Sequence, residues 1–262
     1  MAYCPICGKY LCPDHFDAWW SSDEFNWKEN SWELPQYCSK HFDKWWNPFK
    51  FNWDNASSEL AAFCSEYFDI WWDEDKFNWR KASWILAKHC SAHFDKWWNL
   101  ERFNLDYVWA LAEWCLNSFN KWWNEDIFDW ENYSISLSQN CSDYFDIWWN
   151  ENKFNWQTAS YALAHYCAKH FLDWWNPDMY NWKDHSWALA RFCSEYFEIW
   201  WDEDKYNWKD ASQELTQHCS QYFDKWWNPF KFNVIHVKCL EMYCSEYKHI
   251  WQKDLKLRML LG

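Results

Sequence analysis

Glycine is almost missing from this 262-residue chain, which has 2, Gly8 and Gly262, both near an end. Hairpins with primed turns need residues at positive φ, and loops that cradle phosphate need backbone without Cβ. An antiparallel sheet protein and a phosphate-loop enzyme are therefore excluded. Proline is scarce too, with 6, so forced backbone interruptions are few. Long apolar runs are absent and mean hydropathy is −0.74, which excludes a membrane span. Cations are in deficit: 25 Lys and Arg against 39 Asp and Glu give a formal net charge of −14. That balance disfavours wide contact with phosphates and favours solubility or a cationic partner. The opening residues MAYCPICG lack the basic and apolar regions of a secretory leader. The 13 Cys are an odd number whose main spacing fits no small disulfide framework. An intracellular, reducing compartment is expected.

What the chain has in abundance is aromatic, with 31 Trp, 20 Phe and 15 Tyr, and it is periodic. Trp pairs begin at Trp19, Trp45, Trp71, Trp97, Trp122, Trp148, Trp174, Trp200 and Trp226, spaced by 26 with a single interval of 25. The shared pattern is Asn-Trp, three variable residues, Ser-x-x-Leu, three more, then Cys-Ser-x-(His/Tyr)-Phe-Asp-x-Trp-Trp-Asn. Within one copy Trp53, Leu60, Ala61, Cys64, Phe68, Trp71 and Trp72 fall in a single broad stripe at about 100° per residue, which predicts a helix. Asn26, Asn52, Asn78, Asn155, Asn181 and Asn207 stand where N-caps belong, with Glu29, Asp54, Asp184 and Asp210 in the first turns. Asn47, Asn99, Asn124, Asn150, Asn176 and Asn228 follow the Trp pairs, the place of a left-handed C′ residue, and Pro48, Pro177 and Pro229 come next.

A rod from Trp53 to Trp72 is about 30 Å long. The five residues that follow, Asp73 to Phe77, reach about 20 Å at most and cannot return to the same end. The expected architecture is all-α: an α-solenoid of about nine 26-residue Trp-rich repeats with successive helices antiparallel. Lys44 and Lys96 alternate with Ile70, and Ile147 and Ile199 with Asp173 and Lys225, as a two-copy unit of up and down helices predicts. Two features oppose unbroken rods. Pro35 lies inside the first full helix, and the Ser after each Cys can start a second short helix. The organisation divides into an N-terminal zinc-binding cap (residues 1–16), the repeat array (17–233) and an amphipathic C-terminal capping helix (234–262).

The cap rests on Cys4, Cys7, Cys12 and His15, two close pairs of soft or borderline ligands joined by a short loop, a donor set that suits tetrahedral Zn. Gly8 follows Cys7 where such a knuckle needs a permissive backbone. Four protein ligands leave no open position, so one structural rather than catalytic Zn is expected. The competing reading is ordinary repeat Cys and His joined by two extra Cys. Recurring pairs Cys38/His41, Cys90/His93 and Cys167/His170 can serve as ligands or nucleophile pairs. Equivalent copies carry Tyr67, Tyr144, Tyr196 and Tyr222, so these positions read as packing, and the Cys as small buried groups. No Ser/His/Asp grouping stands out, and no enzyme is expected.

The Trp pairs recur nearly unchanged and read as core. The positions that vary lie one before, three after and six after each Cys. There the copies show Tyr37/His41/Lys44, Phe63/Tyr67/Ile70, His89/His93/Lys96, Trp114/Ser118/Lys121, Asn140/Tyr144/Ile147, Tyr166/His170/Asp173, Phe192/Tyr196/Ile199 and His218/Tyr222/Lys225. This row is either a modular recognition surface or the contact between neighbouring helices. The expected function is a non-enzymatic scaffold that binds a protein or peptide, of basic character, through an elongated acidic surface. A modular reader of single-stranded RNA is the alternative, and the net charge opposes it. Sequence leaves the oligomeric state open.

The strings Phe-Asn-Trp, Ser-Trp-Ala-Leu-Ala and Phe-Asp-x-Trp-Trp-Asn resemble the tryptophan-repeat gene family of insect poxviruses and giant viruses. The resemblance covers nearly the whole chain after the Cys cluster. It implies a viral protein acting in the cytoplasm or nucleus of an infected host cell, and it brings no activity that attaches to a residue.

Overall fold

The computed structural model describes residues 3–261; Met1, Ala2 and Gly262, the outermost residues of the two expected caps, lie outside them. Among the described residues there is helix and no strand, apart from one isolated bridge between Tyr3 and Tyr10. The chain divides into two compact units, Met1–Phe128 and Asp129–Gly262, and each is a stack of the same helical repeat.

The repeat is finer than a single rod. In one copy an 11-residue helix runs Trp53–Phe63, Cys64 breaks it at φ −123° and ψ 27°, Ser65–Tyr67 form a 3-10 turn, and Phe68–Trp71 close one more turn of α-helix. The second unit repeats this as Trp182–Phe192, Ser194–Tyr196 and Phe197–Trp200. The break has an identifiable cause. The Trp71 Nε1–H donates to the Cys64 carbonyl at 2.7 Å and the Tyr67 N–H donates to it at 3.0 Å, so the bond that would continue the helix is replaced. A straight helix would place a residue seven positions on about 10 Å away, out of reach of that carbonyl. The fold lets Phe68 and Trp71 turn under the long helix and become fully buried.

This corrects the expectation of unbroken rods and, with it, the direction of neighbours. Contacts between successive copies keep a nearly constant offset from one end of the long helix to the other. Asn78 Nδ2 donates to the Asp54 carbonyl near the start, and the Cys90 thiol to the Ala61 carbonyl near the finish. Constant offset means that successive long helices share a direction. The reversal that a stack requires occurs inside each repeat, in the short segment and the loop after the Trp pair.

Five of the six expected N-caps hold the bond expected of them, as when Asn78 Oδ1 accepts from the Lys81 N–H at 3.2 Å; Asn52 instead donates to the Lys28 carbonyl. Each of these Asn except Asn26 also joins two repeats. The Ser57 hydroxyl donates to the Trp53 carbonyl at 2.6 Å and accepts the Asn78 N–H at 3.1 Å, so a buried hydroxyl staples the next helix start to the previous one. The Asn after the Trp pair is not left-handed, as positive φ occurs only at Leu11 and Gly8 among the described residues. Instead Asn47 Oδ1 accepts from the N–H groups of Phe49 and Lys50, opening an Asx-turn.

Pro35 acts as expected. The helix is divided into Trp27–Asn30 and Glu33–Cys38, at the turn where the N–H missing from Pro35 would have bonded Ser31. The 25-residue interval lies between Asn104 and Cys115, where a 3-10 turn Leu105–Tyr107 precedes a helix shortened to Val108–Trp114. The expected C-terminal capping segment has the same design, Val234–His236 then Val237–Tyr243, and its buried Trp251 takes the place of a first pair Trp. Gln252 replaces the second, and the short helix runs on as Lys248–Leu261.

Candidate metal centre and the repeat positions

The N-terminal loop is shaped by backbone bonds before any ion is considered. The Cys4 N–H donates to the Lys9 carbonyl at 2.9 Å and the Gly8 N–H to the Cys4 carbonyl at 2.8 Å, with Gly8 at φ +71°. The Ile6 N–H points at Cys4 Sγ from 3.4 Å. Burial raises the Cys4 thiol, but the N–H groups of Cys7 and Ile6 outweigh it and hold the thiol below its ordinary value. For Cys7 the Lys9 N–H lowers the thiol, while burial and the sulfurs of Cys12 and Cys4 together push it above.

Cys7 Sγ and Cys12 Sγ are 3.5 Å apart, and Cys12 Sγ is 3.6 Å from His15 Nδ1. All four donor atoms of Cys4, Cys7, Cys12 and His15 lie within 4.8 Å of one another, so the cluster can hold a metal ion. A tetrahedron with metal–sulfur bonds of about 2.3 Å has edges of about 3.8 Å, which these separations match. Cys12, His15, Phe16 and Trp19 occupy repeat positions, and the loop stands where a preceding long helix would lie. The Leu11 carbonyl accepts from the Cys38 thiol at 3.7 Å, and the Pro13 carbonyl lies 2.7 Å from His41 Nε2. Tyr10 Oη donates to Glu33 at 2.5 Å, tying the knuckle to the first long helix.

The variable row separates into three kinds of position. Residues three after Cys are half-buried and stack face to face on the Phe of the preceding copy. His41 lies on Phe16, Tyr67 on Phe42, His93 on Phe68, His170 on Phe145, Tyr196 on Phe171 and Tyr222 on Phe197, with centroids 4.4 to 4.6 Å apart across the series that ends with Tyr247 on Phe223. Tyr144 occupies the same half-buried position.

Residues six after Cys are exposed, and their Lys reach back to an acid of the preceding copy: Lys44 to Asp17, Lys96 to Asp69, Lys121 to Asp95 and Lys225 to Glu198. Ile199 follows a copy carrying exposed Leu172 instead of that acid, while Ile70 and Ile147 are exposed. Each of these Lys follows a copy that offers an acid, whereas Ile70 follows one that carries Asp43, so an acid in the previous copy permits a Lys without requiring it. Residues one before Cys are mixed: Tyr37, Phe63 and His89 are exposed, and Trp114, Tyr166, Phe192 and His218 half-exposed, with Lys88 lying 5.4 Å over the Trp114 ring.

The pairs Cys38/His41, Cys90/His93 and Cys167/His170 have their groups turned apart. The thiols donate to carbonyls of the preceding copy, Cys90 to Ala61 and Cys167 to Ser138 at 3.6 Å, while the imidazoles stack on Phe. Burial pushes the Cys38, Cys90 and Cys167 thiols up to about 12, so they are poor nucleophiles and poor ligands at neutral pH.

Sequence reading missed a second convergence. Asp173 stands where other copies place Lys and faces Asp146, and His170 Nδ1 is 3.6 Å from Asp173 and 3.8 Å from Asp146. The signal was present as an acid in the Lys column. Among the described residues no helix is long and apolar enough to cross a membrane. No protein-family model, curated protein or solved structure matches the chain.

Proposed function

We propose that this chain is a non-enzymatic helical-repeat scaffold whose acidic surface binds a cationic protein or peptide, with a structural Zn held by Cys4, Cys7, Cys12 and His15. One observation carries the reading. The nucleophilic and ligating side chains of the repeat are engaged between copies, whereas Glu29, Asp54, Glu66, Asp184, Glu195 and Asp210 are exposed and enter no ion pair among the described residues. Repetition then multiplies a weak electrostatic contact into a useful one. The free state of all 13 thiols agrees with a reducing compartment, and the resemblance of the Trp repeats to a viral gene family agrees with action in a host cell.

Calorimetric titration with a Lys-rich and a Glu-rich peptide of equal length tests this. The Lys-rich peptide binds saturably, with affinity falling as salt rises, and the Glu-rich one does not. Absence of saturable binding at low salt overturns the proposal. An RNA-reading function ranks second, because the middle member of the variable row is already occupied by stacking and leaves only the outer positions to read bases.

A further inference from the structure

The C-terminal repeat leaves open a face that every preceding repeat of its unit covers. Val234, Val237, Trp251, Leu255 and Met259 floor a groove of about 690 Å³ between the helices Val237–Tyr243 and Lys248–Leu261. Val234 is 52 % and Met259 75 % exposed, so the floor is wet where inner repeats are dry. One repeat earlier, the corresponding face of Trp208–His218 is packed by Val237–Tyr243. A helix is therefore the element this face is built to receive.

Two features say what kind of helix. Inner repeats other than that of Val108 carry a Ser here whose hydroxyl accepts the next Asn N–H, as Ser212 does from Asn233 at 3.3 Å. Val237 stands in that place, as Val108 does in an inner repeat, so the face offers an apolar wall. The charge is also inverted. Upstream, Lys183 and Lys209 enter no ion pair among the described residues but others are paired across repeats, as Lys225 is with Glu198 and Lys231 with Asp204. Lys238, Lys248, Lys253, Lys256 and Arg258 have no ion pair among the described residues.

Arg258 donates to the Pro229 and Phe232 carbonyls at 2.7 and 2.9 Å, which fixes the guanidinium at the groove without neutralising it. Lys256 lines the same groove, Glu241 is the one acid in its lining, and the Asp254 carboxylate is taken by the Trp227 N–H at 2.9 Å. We infer that this groove binds an amphipathic helix of a partner protein whose polar face is acidic, its apolar side on Val234, Val237 and Met259 and its carboxylates on Lys256 and Arg258.

The test is fluorescence anisotropy of a labelled 14-residue amphipathic peptide with Leu on one face and Glu on the other, titrated with the full chain. A sister peptide carries Lys in place of Glu. The acidic peptide binds saturably. Val234→Glu and Met259→Glu, both at exposed positions and so compatible with folding, each weaken it about tenfold. Lys256→Glu shifts preference toward the Lys peptide. Binding that is absent, or that all three substitutions leave unchanged, overturns the inference. So does sedimentation showing that the chain self-associates through this face and that Val234→Glu abolishes the association, because the occupant is then a second copy. Tight binding of the Lys peptide alone would instead place it on the acidic surface proposed above, which separates the two readings.

Discussion

At the scale of single residues, the repeat Cys is a hinge pin with a consequence for pH. Its thiol is buried at the helix break and in most copies donates to the previous repeat, as Cys90 does to Ala61, and burial pushes the thiols of Cys64, Cys90, Cys115, Cys141 and Cys167 up to about 12, from an ordinary value of 9.0. In the unfolded chain these thiols ionise near 9, while the folded state keeps its protons to about 12, so between those values the unfolded chain binds fewer protons. Stability is therefore full below about pH 9 and declines as pH rises toward 12. Thermal melts at pH 8, 9 and 10 are expected to fall progressively, and replacing Cys64, Cys90 and Cys115 by Ala is expected to flatten the trend. An unchanged slope in that variant would sink the assignment. The relay Ser makes a second prediction at this scale. Ser83→Ala removes the acceptor of the Asn104 N–H, which then loses its 3.1 Å bond in a half-buried setting. A cost of about 1–3 kcal/mol is expected, with Ser83→Thr retaining the acceptor. Amide exchange at Asn104 reads the loss directly.

Among the elements, the two Trp of each pair look alike in sequence and differ in structure. Trp71 is buried and its indole N–H holds the Cys64 carbonyl, whereas Trp72 is half-buried, stacks 5.1 Å from Phe68 and its indole N–H donates to no group among the described residues. Trp71→Phe is expected to cost about 1–3 kcal/mol in urea unfolding, and Trp72→Phe less than about 1 kcal/mol, because only the first leaves a buried carbonyl short of a donor. Equal effects would contradict the role given to the first Trp. This asymmetry marks where the sequence was legible and where it was not. Helicity, the Asn starts, the Pro35 interruption and the four-ligand cluster all follow from short-range chemistry visible in the letters. The break at Cys was signalled only by the Ser that follows it and was invisible to periodicity, since a 3-10 turn followed by one α-turn keeps Phe68 and Trp71 on the apolar stripe that a straight helix would also present. The direction of neighbours failed with it, because a loop too short to return a 20-residue rod is long enough to return an 11-residue helix once the short segment carries part of the path. The Lys column was read as an edge of one helix, and only stacking the copies shows that its partner lies 27 positions earlier, as for Lys96 and Asp69.

Over the whole molecule, each repeat touches chiefly its neighbours, so a local insult should stay local. The Cys4, Cys7, Cys12 and His15 loop takes the place of a missing long helix, and its carbonyls receive the Cys38 thiol and lie against the His41 imidazole. Without an ion, the Cys7 and Cys12 sulfurs 3.5 Å apart are held only by a weak thiol hydrogen bond, and the loop loses the constraint that fixes those carbonyls. Removing the metal with a chelator is thus expected to raise amide exchange from residue 4 through the Glu33–Cys38 helix and the His41 stack on Phe16, and to leave the repeats of Asp129–Gly262 unchanged. Exchange measured by mass spectrometry on the loaded and chelated chain gives the answer, and Cys7→Ser together with His15→Ala should reproduce the chelated pattern. A global rise in exchange would mean that the repeats unfold as one cooperative block. No change at all would mean that the four side chains meet without a metal, and the zinc would have to be withdrawn while the stacked Phe and His or Tyr ladder stood as before.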